Sequence, residues 1–331
     1  MKKTSHHIIL VEHLLKKYAD LAAVNDVSFS VDEGEFFGLL GPNGAGKTTT
    51  INILCTLSKP TSGRAIINGF DVVREQSQVR QCIGLVFQDP SLDERLTALE
   101  NLEFHSLVYS VPASVRKERI EQVLKMVELW ERRRDLVRTF SGGMKRRLEV
   151  ARGLIHYPRV LFLDEPTLGL DPQSRNHLWE FILDLRRREG ITIFLTTHYM
   201  DEAGYAERIA IMDYGKIIAL DSPKKLKRLV GGDIIRLETV NDEGAQAELL
   251  SRYQITAESD GGQLTFEVPN GERFIPAFIK EFSTDILNIS LRRPTLDDVF
   301  LKLTGHQLRD EGAKGGIKEM ARRYGRYRRR H

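Results

Sequence analysis

Between an apolar run containing Phe36, Phe37, Leu39 and Leu40 and a helix-like run, Thr50-Ile51-Asn52-Ile53-Leu54, the chain carries Gly41-Pro42-Asn43-Gly44-Ala45-Gly46-Lys47-Thr48-Thr49. This nine-residue stretch restricts the fold more than any other. A glycine loop that leaves a buried strand and enters a helix belongs at a strand-to-helix turn, where successive backbone N–H groups turn inward and the helix presents its positive end. Such a turn cradles phosphate. Lys47 is placed to reach the β- and γ-phosphates of a nucleoside triphosphate, and the Thr48 hydroxyl to ligate Mg²⁺. By average residue usage, Gly-x4-Gly-Lys-[Ser/Thr] arises by chance in roughly one chain of this length in a hundred.

Composition narrows the class. With 331 residues, 41% of them hydrophobic and 29% charged, the chain is long enough for one large core and a smaller second domain. Its 49 basic and 46 acidic residues leave a formal net charge of only +3, which argues against a dedicated nucleic-acid binder. Cys55 and Cys82 are the only cysteines, too few for a disulfide framework or a four-cysteine zinc site, and both read as core in a reducing compartment. The apolar run after the opening lysines stops at Glu12 and His13, so no signal peptide is expected. No stretch approaches the ~20 apolar residues that span a bilayer.

Further along, apolar strands end repeatedly in polar motifs. Val27, Phe29 and Val31 alternate with polar residues, and Ile66-Ile67 runs into a turn at Asn68-Gly69, so a β-rich flank accompanies the glycine loop. Tyr18 lies in a polar stretch between two strand signals; it reads as a half-buried surface tyrosine or as an aromatic plate for adenine. Ile83–Phe87 is a buried strand ending at Gln88. From about 89 to 157 the pattern turns helical, with capping-box spacing at Thr97–Glu100 and a stripe at Ile120, Val123, Leu124 and Val127. That insertion ends in Phe140-Ser141-Gly142-Gly143-Met144, where Ser141 caps a helix. Two glycines in a first turn cost about 1 kcal/mol each against Ala; they would let a phosphate rest on exposed N–H groups.

Val160–Leu163 is a continuous apolar strand that delivers Asp164 and Glu165, two carboxylates that are costly there unless something cationic faces them. A tight connection, Leu168-Gly169-Leu170-Asp171-Pro172, leads into a helix. Ile191–Leu195 is another buried strand, reaching His198. Gln88, Asp164 and His198 thus all fall at the carboxyl ends of strands, where an open α/β sheet binds ligands. A hairpin, Ile209–Met212 with Ile217–Leu220, closes the first domain. After the joint at Lys224–Arg228 and Gly231-Gly232, the pattern reads strand 234–240, helix 244–253, strands 254–259 and 263–268, helix 272–283, strand 285–291 and helix 295–304. The first six follow the β-α-β-β-α-β order of a ferredoxin-like unit. The expected division is 5–225, 226–307 and a basic, solvated tail at 308–331, whose second reading is attraction to anionic lipid.

Taken together, these motifs resemble the ATP-binding cassette (ABC) ATPases over about residues 5–225. Gly41–Thr48 matches the Walker A loop, Gln88 the Q-loop, Ser141-Gly142-Gly143 the signature, Leu161–Glu165 Walker B, Gly169-Leu170-Asp171 the D-loop and His198 the switch histidine. Tyr18 matches the adenine-stacking aromatic. Phe140–Met144, Thr197-His-Tyr-Met-Asp-Glu202 and Pro294-Thr-Leu-Asp-Asp-Val-Phe300 resemble the ATPase subunits of DrrA-like, ABC-2 type drug exporters. The signature departs from Leu-Ser-Gly-Gly-Gln at both ends, which removes the contact usually made by the final Gln.

The resemblance implies a P-loop α/β cassette with a mostly parallel sheet, a β-rich flank, a helical insertion and a small α+β ferredoxin-like C-terminal domain. It implies ATP and Mg²⁺ as cofactors, with Glu165 as general base, His198 on the γ-phosphate, Asp164, Thr48 and Gln88 at the metal and Lys47 stabilising transferred charge. It further implies a head-to-tail homodimer, separate transmembrane permease subunits docked through the groove near Gln88, and a peripheral place at the cytoplasmic face of the membrane, with no nucleic acid expected. The competing function is a soluble ABC ATPase acting on ribosomes or DNA. Such proteins usually carry two cassettes or a coiled-coil insertion, and this chain shows one cassette and no long heptad run. A non-hydrolysing regulator would fit a missing base or switch residue, and both Glu165 and His198 are present.

Overall fold

Strands β1 (His7–Tyr18) and β2 (Leu21–Asp32) form a long antiparallel pair whose inward residues Ile9, Val11, Leu14, Val27, Phe29 and Val31 are buried while Glu12, Asp26 and Ser28 between them face water. This is the period-two pattern of a half-buried sheet. Strand β3 (Phe36–Leu40) is buried at every position, and the glycine loop passes from it into helix α1 (Lys47–Leu54). Strands β4 (Ser62–Ile67) and β5 (Phe70–Asp71) complete a four-stranded flanking sheet of order β2-β1-β4-β5. The computed structural model describes residues 7–88, 91–260 and 262–305.

Helix α2 (Gln76–Cys82) leads directly into β6 (Ile83–Val86). The helical insertion follows as α3 (Ala98–Val108), α4 (Ala113–Met126) and α5 (Gly142–Leu154). Its caps are those the sequence suggests: Thr97 and Glu100 form a reciprocal capping box, and the Ser141 hydroxyl accepts from the Met144 amide. The chain then returns to the sheet with β7 (Val160–Asp164), α6 (Pro172–Glu189), β8 (Thr192–Thr197), the one-turn α7 (Met200–Ala203), β9 (Arg208–Asp213) and β10 (Lys216–Asp221). The turn between β9 and β10 uses Tyr214 and Gly215, both at positive φ, as a tight two-residue hairpin turn requires.

The central sheet has the order β10-β9-β3-β8-β7-β6, with β9, β3, β8, β7 and β6 paired in parallel. Adjacent phenylalanines show how it is sandwiched. Phe36 stacks on Trp179 of α6 at 6.1 Å, while Phe37 turns the other way onto Phe29 of the flanking sheet at 5.3 Å and Phe194 at 5.4 Å. Because all five parallel strands run the same way, the residues just beyond β3, β6, β7 and β8 gather on one edge.

The second unit begins at Leu220, so helix α8 (Pro223–Val230) belongs to it and the division lies a few residues before the expected 225. Strands β11 (Asp233–Thr239), β12 (Glu258–Asp260), β13 (Gln263–Val268) and β14 (Ile286–Arg292), with helices α9 (Asp242–Tyr253), α10 (Gly271–Glu281) and α11 (Leu296–Thr304), make an antiparallel sheet of order β12-β13-β11-β14. That is the strand order of a ferredoxin-like unit. The strand expected at 254–259 starts only at Glu258, because Gln254 adopts a left-handed conformation (φ 56°) to end α9 and the chain must recover before it can pair. The basic tail lies outside the described residues.

Candidate functional site

The loop before α1 is fastened on several sides. The Gly41 amide donates to the Thr197 carbonyl at 3.3 Å, and the Ala45 carbonyl accepts from the Gly215 amide at 2.9 Å. Gly46 sits at φ 107°, and a Cβ there would lie 2.3 Å from the Ala23 carbonyl oxygen; at Gly44 (φ 82°) nothing lies within 4 Å of that position. One glycine thus admits the neighbouring strand and the other leaves open space. Helix α1 starts with no side-chain cap and no acidic residue in its first turn, so its N–H groups and positive end are uncompensated. This fits an anion.

The buried Lys47 ammonium donates to the carbonyls of Gly41 (2.8 Å) and Pro42 (3.2 Å) and stands 3.3 Å from Glu165 Oε1. Burial lowers its pKa below the ordinary lysine value, with the Glu165 carboxylate pulling part of the way back. Glu165 leaves β7 in a left-handed conformation (φ 46°), fixed by its amide on the Thr196 carbonyl at 3.0 Å. Strain of this kind persists where surrounding contacts over-determine the backbone. Burial alone would raise the Glu165 pKa, but His198 and Lys47 outweigh it and hold the carboxyl below its usual range. His198 Nδ1 lies 3.1 Å from Glu165 Oε1 but off a good hydrogen-bond alignment, so the contact is electrostatic in character. Asp164 shows the opposite balance: burial raises its pKa although the Thr196 hydroxyl donates to it.

A cavity of about 740 Å³ brings together Tyr18, Asn43, Gly44, Gly46, Lys47, Thr48, Thr49, Gln88, Glu165 and His198. Gly41, Pro42 and Ala45 are buried beneath it, and Asp164 is only 4% exposed. Tyr18 is half exposed, with Lys16 Nζ 4.9 Å from its ring centroid. Among the described residues no cluster of three or more His, Cys, Asp or Glu side chains is assembled for a metal. The oxygens on offer are those of Thr48, Gln88 and Asp164, a donor set that suits Mg²⁺, which keeps several waters and is held largely by phosphate.

Ser141 and Gly143 lie elsewhere, in a separate cavity of about 300 Å³ with Met144, Arg147, Gln173, Ser174 and His177. Gly142 is exposed beside them. Within one chain the signature and the Lys47 cavity are therefore distinct surfaces. What joins them is Arg146, 6% exposed. Its guanidinium donates to the carbonyls of Phe87, Asp164, Glu165 and Pro166 and to Glu149, which in turn accepts from the Ser91 amide at 2.8 Å. The signature helix thereby holds the ends of β6 and β7. The sequence reading passed over Arg146, Thr196 and the cavity-lining Tyr199. No local feature distinguishes any of the three: an arginine in α5 reads as solvated surface until the fold buries it.

A family model described as ABC transporter matches residues 24–168, and one described as the C-terminal domain of DrrA1-3-like ATP-binding proteins matches residues 222–304. The chain is 40% identical over 307 residues to the daunorubicin resistance ATP-binding protein DrrA3 of Streptomyces coeruleorubidus, covering 91% of this chain and 97% of that protein. It is 37% identical over 312 residues to the linearmycin resistance ATP-binding protein LnrL of Bacillus subtilis, covering 92% and 100%. A dimeric, post-hydrolysis ATP-binding cassette solved with ADP and Pi superposes with a TM-score of 0.58 at 30% identity, over 65% of this chain and 98% of that one. Cassettes of this family bind ATP with Mg²⁺, dimerise and work with separate membrane subunits; among the described residues of this chain no helix is long and apolar enough to cross a membrane. The chain belongs to the ABC transporter family, as an ATP-hydrolysing nucleotide-binding subunit of the exporter type with a DrrA-like C-terminal domain.

Proposed function

We propose that the cavity around Lys47 is the Mg-ATP site, that two copies of the chain close head to tail over two nucleotides, and that turnover drives a drug-like or lipid-like compound through separate permease subunits at the cytoplasmic face of the membrane. The observation that carries this reading is the convergence of Lys47, Glu165 and His198 within 3.3 Å contacts beside an uncapped helix start. In it, the Walker A loop from Gly41 to Thr49 binds the phosphates through backbone amides such as those of Gly44 and Gly46–Thr49 and through Lys47, Tyr18 stacks on adenine, and Thr48, Asp164 and Gln88 would hold Mg²⁺, which would neutralise phosphate charge. Glu165 takes the proton of the attacking water and His198 donates toward the γ-phosphate. Lys47 engaged by phosphate leaves Glu165 with one cationic neighbour fewer, which raises its proton affinity toward that of a working base.

The partner assignments rest on different features. The polar cavity at Ser141 and Gly143 is exposed and apart from the Lys47 cavity, which supports its use by a second copy's ATP. Phe104, Leu107 and Val108 are each more than half exposed on α3 of the helical insertion, as a surface that docks on a membrane subunit would be. The drug-like or lipid-like cargo follows the relatives, whose names record daunorubicin and linearmycin resistance.

The test is Glu165→Gln. It should retain ATP affinity while steady-state hydrolysis falls by on the order of a hundredfold or more, leaving a trapped ATP-bound dimer; turnover near wild type would remove Glu165 from the role of base. Mixing Lys47→Ala with Ser141→Arg should restore ATP occlusion at one site per mixed dimer, and no recovery in verified mixed dimers would overturn the head-to-tail arrangement.

A further inference from the structure

Glu202 is an acid with no part in the site described above, yet it is 2% exposed on the one-turn helix α7. Each of its carboxyl oxygens has one hydroxyl partner. Oε1 accepts from Thr167 Oγ1, and Oε2 accepts from Thr197 Oγ1 at 2.7 Å. Both threonines are fully buried. Burying an acid between hydroxyls, with no ion pair recorded for it among the described residues, is costly when an apolar side chain would fill the same space.

The two threonines belong to different segments of the site. Thr197 ends β8 and immediately precedes His198; its carbonyl holds the Gly41 amide and its hydroxyl accepts from the Tyr199 amide at 2.9 Å. Thr167 lies two residues beyond Glu165, on the connection that runs to Asp171, and its carbonyl accepts from Leu170 at 3.1 Å. Within this stretch the Thr196 carbonyl also takes the Glu165 amide. Glu202 therefore ties the segment carrying the switch histidine to the segment carrying the general base, at a point behind both.

We propose that Glu202 is a positioning residue for hydrolysis: its two hydroxyl contacts fix His198 against Glu165, the 3.1 Å pair in this structure, and keep the Thr167 connection in step with the end of β8. The inference rests on the reading of Glu165 and His198 given above. A misplacement of about 1 Å in a reacting constellation costs on the order of a hundredfold, so loosening this tie acts on turnover rather than on nucleotide affinity.

The experiment is steady-state ATPase of the purified full-length chain carrying Glu202→Ala, Glu202→Gln, or the Thr167→Val and Thr197→Val pair, each alone and combined with His198→Ala. Glu202→Ala should lower kcat by roughly ten- to a hundredfold with KM for ATP within about twofold, since the phosphate cradle is untouched. Glu202→Gln should restore most of it, because an amide accepts from one hydroxyl and donates to the other. In the His198→Ala background Glu202→Ala should cost nothing further. Equal fold losses in both backgrounds, or a rise in KM that accounts for the loss, would overturn the positioning role and leave Glu202 as ordinary scaffold. Where Glu202→Ala does not fold, the threonine pair decides by the same comparison, with thermal denaturation confirming the fold. His198→Ala turning over at the wild-type rate would sink the assignment of His198 and this inference with it, whereas an impaired His198→Ala beside a fully active Glu202→Ala would sink the inference alone.

Discussion

The cassette buries Lys47, Arg146, Glu149, Asp164, Glu165 and Glu202, whereas the unit that begins at Leu220 buries Thr239 as its single polar side chain among the described residues. Its core is instead a cluster of Ile235, Leu237, Leu249, Leu264, Phe266 and Phe278, with Tyr253, Phe274 and Phe282 packed against it. Phe278 lies 5.0 Å from Phe274 and 4.4 Å from Phe282. A buried charge has to be answered by a partner in a particular place, while an apolar side chain needs only volume and shape. The first unit thus keeps buried charges, those around Lys47 among them, whereas the second packs an apolar core and leaves its charged side chains at partly or fully exposed positions.

Removing the charge that ties the cassette together should have the largest effect. Arg146→Met strands Glu149, 1% exposed, and the carbonyls at the ends of β6 and β7. A loss of about 3–5 kcal/mol in denaturant unfolding is expected, with turnover falling as well; a loss under about 1 kcal/mol would show that the network is not what holds the site. Phe278→Ala tests the other side. It should cost about 3 kcal/mol, the low end for a buried ring because neighbouring rings can close on the space, while ATPase per folded molecule stays unchanged because the Lys47 cavity draws no residue from this unit. A matching drop in kcat would mean that the apolar unit participates in hydrolysis.

A smaller effect sharpens the contrast through pH. Burial, reinforced by Arg152, pushes the His105 pKa down from 6.5 to about 4. The folded protein keeps His105 neutral while the unfolded chain takes up a proton below 6.5, so this residue's contribution is complete above pH 6.5 and is lost as pH falls toward 4. His105→Gln should flatten the acid limb of the stability profile by about 1–2 kcal/mol between pH 7 and pH 4.5, allowing for partial solvent access. An unchanged acid limb would place the acid sensitivity in other groups. The smallest effect is local: Thr295→Ala removes the capping box of α11, in which Thr295 and Asp298 exchange side-chain contacts, and should cost about 1 kcal/mol by denaturant midpoint. No change would mean that the Arg292–Asp298 pair, at 2.8 Å and 2.9 Å, holds that helix start by itself.

The loop from Gly41 to Thr49, the strand-end carboxylates Asp164 and Glu165, and the caps at Thr97 and Ser141 were all legible in the sequence, because each depends on residues within a few positions of one another. Continuous apolar runs of strand length marked β3, β7 and β8 for the same reason. What only the tertiary structure decided is which strand ends meet. Glu165 faces Lys47 and His198 because β7, β8 and β3 are neighbours in one parallel sheet, a fact that no spacing along the chain encodes. Arg146 reaches carbonyls up to 59 positions away, and Glu202 reaches Thr167 across 35; a lone Arg or Glu on a helix reads as solvated surface until the fold buries it. The late start of β12 likewise turned on Gln254 taking a left-handed conformation, because that choice depends on how α9 ends against its sheet. Local chemistry follows from sequence spacing, whereas the partners of buried charges follow from strand order and burial, which arise only when distant segments pack.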